Sequence, residues 1–404
     1  MKTHTRLNTI EKISQFLNID LPTSSAKAAR SRRDVFYFGK ELLEMLPPPK
    51  NKAPVVQVAG TNGKGTVCYL IDAMLRAHDK RTVLSVSPHV YEVRERLQVN
   101  GQLYPERAYV ALCDEVISAA RILTPAGQAP DYFAVQFAIS ARGSVEQRVD
   151  YRIFEAGIGG SHDLSNLLEC DKKVSVVTQI NETETRSLKD EVNSTLRVIG
   201  EGTEIVALKQ ECLENAAPKG THVTWANPGD DYPADNLSIA LSACAHLAQR
   251  DGWQFSENTA LNAAELVYVP GRYEKRRLKK STILMDGAHD ATGLTALTSR
   301  VAKDYKTKLP VVFALGNGKH LRNSLLAIKP ICETLYATEF FNNRGYHTRQ
   351  SYDSVEVART AKELGIDAVA VNSPERALRE AAKSDDDVLV TGSFYLLSEI
   401  DPMF

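Results

Sequence analysis

The sequence has no CxxC pair, no apolar run long enough to span a bilayer, no internal repeat and no excess of one charge. Each absence removes a class of function. Six scattered cysteines (Cys68, Cys113, Cys170, Cys212, Cys244 and Cys332) form neither a disulfide framework nor a zinc cluster, and they suit reduced thiols. With 49 Lys+Arg against 50 Asp+Glu, net charge −1, there is no general attraction to nucleic acid or to an anionic membrane. The expected partners are therefore small molecules, with no nucleic acid and no membrane. The first residues are polar and amphipathic and lack the apolar centre of a signal peptide, so a cytoplasmic location is expected. What remains is ordinary globular composition, 43% hydrophobic and 25% charged, over 404 residues, enough for two or three domains.

The most informative stretch is Val55-Val56-Gln57-Val58-Ala59-Gly60-Thr61-Asn62-Gly63-Lys64-Gly65-Thr66. A strand runs into a glycine-rich turn, and Val67, Leu70, Ile71, Met74 and Leu75 then recur at helical spacing. Strand, turn and helix start make a phosphate cradle, because turn amides and the helix N-terminus both favour an anion. Gly60, Thr61, Asn62, Gly63, Lys64, Gly65 and Thr66 are the candidate nucleotide contacts. Lys64 offers a point charge to the β- and γ-phosphates and Thr66 a hydroxyl to Mg²⁺. A lone glycine turn is more often only a turn. Here the strand, the lysine, the threonine and the helix agree.

Along the chain, residues 1–46 read as helices, with a small basic loop from Ser24 to Arg33 between them, and Pro47-Pro48-Pro49 stops the second. Arg81 to Ser87 reads as a strand, and Leu97 and Val99 before Asn100-Gly101 suggest a short hairpin. Pro105 to Leu123 and Asp131 to Gln147 read as helices. Tyr151 to Glu155 is a strand ending in a carboxylate, and Glu155 there is well placed to hold Mg²⁺. Alternating β and α segments continue to Arg250, then resume beyond Val269-Pro270-Gly271-Arg272-Tyr273. The expected fold is α/β: a P-loop ATPase domain with a mainly parallel sheet over residues 1–271, and a smaller Rossmann-like domain over 272–404. Substrate specificity is expected around Ser87, His89, Arg96, Tyr132 and Phe133, although aromatics at helical spacing are usually core.

In their order, Gly60 to Thr66, Ser87-Pro88-His89, Glu95-Arg96 with Asn100-Gly101, and Glu155-Ala156-Gly157-Ile158-Gly159-Gly160 through Asp163 and Asn166 resemble the Mur ligase superfamily. Pro270-Gly271-Arg272, Asp286-Gly287-Ala288-His289 and Thr391-Gly392-Ser393 extend the resemblance, which is to its folylpolyglutamate synthase / dihydrofolate synthase branch. It implies an ATP- and Mg²⁺-dependent ligase that joins a carboxylate to an amino acid or amine through an acyl phosphate, releasing ADP. It implies that Lys64 and the loop amides hold phosphates, and that Thr66 and Glu155 bind Mg²⁺. Arg272, Asp286 and His289 are implied to reach the nucleotide, with Lys64, Glu155 and His289 as the catalytic set and a monomer as the oligomeric state. Alone, His289 would read as a turn histidine and Arg272 as a linker cation.

The pattern also departs from the family. Glu184 stands where a metal-binding histidine is usual, and Leu196 where a carbamylated lysine is usual, so Glu184 is the candidate ligand of a second metal. Ser161 replaces a common arginine. These changes point to a non-folate acid as substrate. The alternatives are a genuine folylpolyglutamate/dihydrofolate synthase and a catalytically silent ATP-binding scaffold.

Overall fold

The structure, a computed structural model, describes residues 31–124, 131–157, 159–183, 186–199, 203–216, 222–340, 350–383 and 386–404. These form two compact units that divide between Val267 and Tyr268. The first helix expected in residues 1–46 lies outside the described residues, as does Glu184.

In the N-terminal unit, α1 (Arg32–Met45) starts on a closed capping box between Ser31 and Asp34. There follow β1 (Val55–Ala59), α2 (Lys64–Ala77), β2 (Thr82–Ser85), β3 (Gln98–Val99), β4 (Gln102–Leu103), α3 (Glu106–Leu123) and α4 (Tyr132–Glu146). The unit continues through β5 (Tyr151–Glu155), β6 (Lys173–Val177), α5 (Leu188–Val198), β7 (Glu204–Leu208), α6 (Glu211–Ala216), β8 (Val223–Ala226), α7 (Tyr232–Asp251) and α8 (Glu257–Glu265). One sheet runs β4-β3-β2-β5-β1-β6-β7-β8, parallel except for the β2–β3–β4 ribbon. At the tip of that ribbon Asn100 and Gly101 both have positive φ, 48° and 73°, as a two-residue hairpin turn requires, and asparagine and glycine adopt that region most readily.

All five β1 residues are buried, because β1 lies inside the sheet between β5 and β6 and is covered on both faces. Val67, Cys68, Ile71, Met74 and Leu75 of α2 pack on one of those faces with Ile239, Ala243 and Leu247 of α7. Removing one such side chain, as in Ile71→Ala, costs about 2–5 kcal/mol. Gln57 is the polar exception in β1. Its amide donates to Asn166 Oδ1 (3.0 Å) and Ser165 Oγ, which ties the strand to the segment that follows Gly160.

The C-terminal unit contains β9 (Glu274–Leu278), β10 (Ser281–Asp286), α9 (Ala291–Asp304), β11 (Leu309–Phe313), α10 (Leu321–Ile328) and β12 (Cys332–Ala337). It ends with α11 (Ser354–Glu363), β13 (Asp367–Ala370), α12 (Pro374–Ala381), β14 (Val388–Thr391) and α13 (Phe394–Ile400). Its sheet runs β13-β12-β11-β14-β10-β9, with only β9 antiparallel. Among the described residues of both units, no helix is long and apolar enough to cross a membrane.

Candidate active site

The C-terminal ends of β1, β2, β5 and β6 bring four loops of the N-terminal unit together. This is where an open parallel sheet binds ligands, beside a reversal of strand order. The turn after β1 is held from β6. Thr61 N donates to Gln179 O (3.0 Å), and Thr178 Oγ1 donates to Asn62 O (2.7 Å). Gly60 has φ 130°, and a side chain there would collide with Thr178 Oγ1. Gly63, at φ 83°, leaves room for Asn236 of α7 in the same way. The first backbone bond of α2 runs from Val67 N to Gly63 O, so the amides of Lys64, Gly65 and Thr66 precede it and have no carbonyl inside the helix. Lys64 Nζ folds back to Gly60 O (3.1 Å) and Thr61 O (3.2 Å), with its charge over the mouth of the turn.

Glu155 ends β5 beside this helix start. A Cβ built on Gly65 would stand 3.5 Å from Glu155 Oε2, so glycine lets the carboxylate come close. Ser87 N donates to Oε2 (2.8 Å) and sets its orientation. With the Thr66 hydroxyl one residue along the helix, the donors are hard oxygens, and the set fits Mg²⁺. The second metal implied by the resemblance rests on Glu184, which lies outside the described residues. Leu196 packs into an apolar cluster with Val192, Ile180 and Leu213, and among the described residues no group of three or more His, Cys, Asp or Glu could hold a metal.

The loop after β2 contributes Ser87 and His89. Arg96 is buried, and its Nε donates to His89 Nδ1 (2.9 Å). An arginine can only donate, so Nδ1 is the acceptor and the ring proton sits on Nε2. Glu95 holds this loop by accepting from the amides of Val90, Tyr91 and Glu92, while burial pushes its carboxyl up. Neighbouring Tyr132 and Phe133 separate. Phe133 lies against Gly157, where a side chain would strike its ring. Tyr132, expected as a substrate residue, is instead a core residue, 5% exposed, with Gln136 Nε2 donating to its hydroxyl (3.0 Å).

In the C-terminal unit, Arg272, Asp286 and His289 form a cluster of their own. Asp286 is buried; Oδ2 accepts from Tyr273 N and Oδ1 from Ala288 N, both at 2.9 Å. Burial pushes its carboxyl up, while the Arg272 guanidinium and the two amides pull it back. His289 Nδ1 sits 2.9 Å from Gly287 O, and burial holds the imidazole below its ordinary value. Phe394 organises the cluster, with the Arg272 guanidinium 4.5 Å above its ring and the His289 ring at 6.0 Å. Gly287 is required because any side chain there would enter that ring. Sequence reading missed Phe394, Thr178 and Asn236. The only local hint was the position of Phe394 after Thr391-Gly392-Ser393.

Likeness to known ligases gives the class, an ATP-dependent, ADP-forming acid–amino-acid ligase that works with Mg²⁺. Residues 271–402 match the family model "Dihydrofolate synthetase, C-terminal domain". The dihydrofolate synthase/folylpolyglutamate synthase of Bacillus subtilis is 24% identical, over 89% of this chain and 93% of its own. A solved structure of Escherichia coli FolC with DHPP and ADP shares the fold, with a TM-score of 0.78, 21% identity and 98% of each chain covered. A bifunctional folylpolyglutamate synthase/dihydrofolate synthase with Mn, AMPPNP and L-glutamate bound gives a TM-score of 0.74 at 20% identity, over 93% of this chain and 95% of that one. Within that class, the chain is similar to folylpolyglutamate synthase/dihydrofolate synthases over most of its length and shares the fold of their solved structures. The expectation of a non-folate acid finds no support in these relatives, and the folate alternative fits them better.

Proposed function

We propose that this chain is a dihydrofolate synthase or folylpolyglutamate synthase, joining L-glutamate to a pteroate or folate carboxylate at the expense of ATP. One observation supports the reading above the others: the Glu155 carboxylate lies against Gly65 in the same helix start whose amides and lysine face the phosphate cradle. A carboxylate is a poor electrophile until one oxygen becomes a leaving group. In the first step a carboxylate oxygen of the acid attacks the γ-phosphorus and ADP departs. In the second, the amino nitrogen of glutamate attacks the acyl carbon, phosphate leaves and the nitrogen loses a proton.

The enzyme must bring two anions together, and fixed cations and dipoles lower that barrier. Lys64 exchanges its two loop carbonyls for phosphate oxygens when nucleotide binds. Thr66 and Glu155 would hold Mg²⁺, which supplies charge neutralisation at the phosphates. Ser87 orients Glu155, and Arg96 presents His89 with Nε2–H outward to the acid. Within the C-terminal unit, Arg272 and His289, held by Phe394, are candidate nucleotide contacts.

The test is ADP release by purified protein with ATP and Mg²⁺, given 7,8-dihydropteroate and L-glutamate together, each alone, and tetrahydrofolate with L-glutamate. ADP formation that requires both acid and glutamate supports the reading. ATP binding with no substrate-dependent ADP overturns it and favours a silent scaffold.

A further inference from the structure

A cleft of about 390 Å³ in the N-terminal unit is lined by the Gly159–Gly160 turn, the loop before α5, α5 itself and Arg32 of α1. Its chemistry is that of an anion site. Among the described residues, Arg32, Arg186 and Arg197 line it, against one lining carboxylate, Asp190. Asp190 is already engaged: Ser187 Oγ donates to its Oδ2 at 2.7 Å, while Ser187 caps α5. Arg186 is half-buried, and its Nη1 donates to Ser194 Oγ (3.2 Å) and pairs with Glu191 Oε1 (3.6 Å). Both contacts use Nη1, which leaves the rest of the planar fork unspent on them. Arg197 stands one residue beyond Leu196, on the last turn of α5.

Two glycines in the left-handed region, Gly159 and Gly160, let the turn lie against this helix; a Cβ at Gly159 would stand 3.0 Å from Ser194 Oγ. Gly160 N donates to Ser194 O (3.1 Å), so the turn and the helix form one wall. His162 also lines the cleft, and its ring meets Phe36 of α1 edge-on at 5.5 Å. Among the described residues, the excess of guanidinium over carboxylate disfavours a cation. A carboxylate fits, because guanidinium forks match its two oxygens.

We propose that this cleft binds a carboxylate of a ligase substrate, with Arg186 and Arg197 as specificity-determining residues. The proposal rests on the ligase reading above. The carboxylate comes from one of two sources: the incoming L-glutamate, or the glutamyl end of an acid that already carries one.

The experiment uses the full chain and the variants Arg197→Ala, Arg186→Ala and Arg186→Lys, with thermal melting to establish that each is folded. KM is measured for ATP, for L-glutamate, and for tetrahydrofolate against 7,8-dihydropteroate, which lacks the glutamyl carboxylates. The expected result for either alanine variant is a tenfold or larger rise in one KM, with KM for ATP within twofold and partial recovery in Arg186→Lys. A rise for L-glutamate assigns the incoming amino acid; a rise for tetrahydrofolate but not dihydropteroate assigns the glutamyl end. All KM values within twofold of the parent, or an equal rise for ATP, overturns the proposal. Should the parent release no ADP, the ligase reading fails by itself. Calorimetric titration of L-glutamate and tetrahydrofolate into parent and Arg197→Ala then decides this one: binding weakened by the substitution upholds a carboxylate site, and equal or absent binding overturns it.

Discussion

The two units place a carboxylate at the same point of the same pattern and put it to different uses. Glu155 ends β5 and Asp286 ends β10, and each precedes a glycine turn at the carboxyl edge of a parallel sheet. Glu155 is half-buried, lies against the glycine of a helix start, and has Ser87 N as its backbone donor. Asp286 is buried, with one backbone amide on each oxygen. On the proposed function Glu155 is the carboxylate that would meet a ligand, whereas Asp286 holds two turns, Gly271–Tyr273 and Gly287–Ala288. Strand-end position predicts where a carboxylate sits. The amides around it decide whether a ligand can use it.

The comparison is sharpest when set against the phosphate turn. Lys64→Ala removes the only side-chain cation of that turn and is expected to lower kcat/KM for ATP by about 100-fold or more, with a melting temperature close to the parent's. Substrate-dependent ADP release at the parental rate would sink the phosphate-cradle assignment. Glu155→Gln and Asp286→Ala then separate the two uses. Glu155→Gln keeps the shape and an acceptor for Ser87 N, so its expected effect is roughly a 100-fold loss of ADP formation with little change in urea midpoint. Asp286→Ala leaves two buried amides without acceptors, at about 1–3 kcal/mol each, partly offset because a buried charge is also removed. Its expected cost is roughly 2–4 kcal/mol in urea unfolding. Reversed phenotypes, an unstable Glu155→Gln and a stable Asp286→Ala, would undo the distinction.

The same contrast between near and distant partners explains what could be read in advance. The phosphate turn was legible because strand, glycines, lysine and helix are contiguous, and the Asn100-Gly101 hairpin for the same reason. The braces on that turn were not. Thr178 lies 116 residues from Asn62, and only the β1–β6 pairing brings them together. Tyr132 and Phe133 show a local limit, since adjacent helical residues point about 100° apart, so one faced the core and the other Gly157. The cleft on α5 drew arginines from α1, from the loop before α5 and from α5 itself, a convergence that no linear spacing displays.

A smaller effect checks the legibility of the turn braces. Gly60→Ala adds one methyl where φ is 130° and Thr178 Oγ1 occupies the space. The substitution is expected to cost about 1–3 kcal/mol, and the double variant Gly60→Ala/Thr178→Ala should recover the part due to collision but not the part due to backbone strain. Additive costs in a double-mutant cycle would mean that the two residues do not touch.

The smallest expected effect lies in the C-terminal cluster and concerns pH. Burial holds the His289 imidazole below its ordinary 6.5, against the opposing pull of the Gly287 carbonyl. As pH falls below 6.5, the unfolded chain takes up a proton that the folded ring still refuses. Stability is therefore full above that value and declines through the interval down to the lower folded value, by no more than about 1.4 kcal/mol per pH unit. His289→Asn keeps a donor for Gly287 O and removes the titration. Urea unfolding at pH 7.5, 6.5 and 5.5 should show the parent losing more stability than the variant over the lower step. Parallel slopes would mean that the ring is as free to protonate as one in solution, and that the Phe394 contact does not seal it from water.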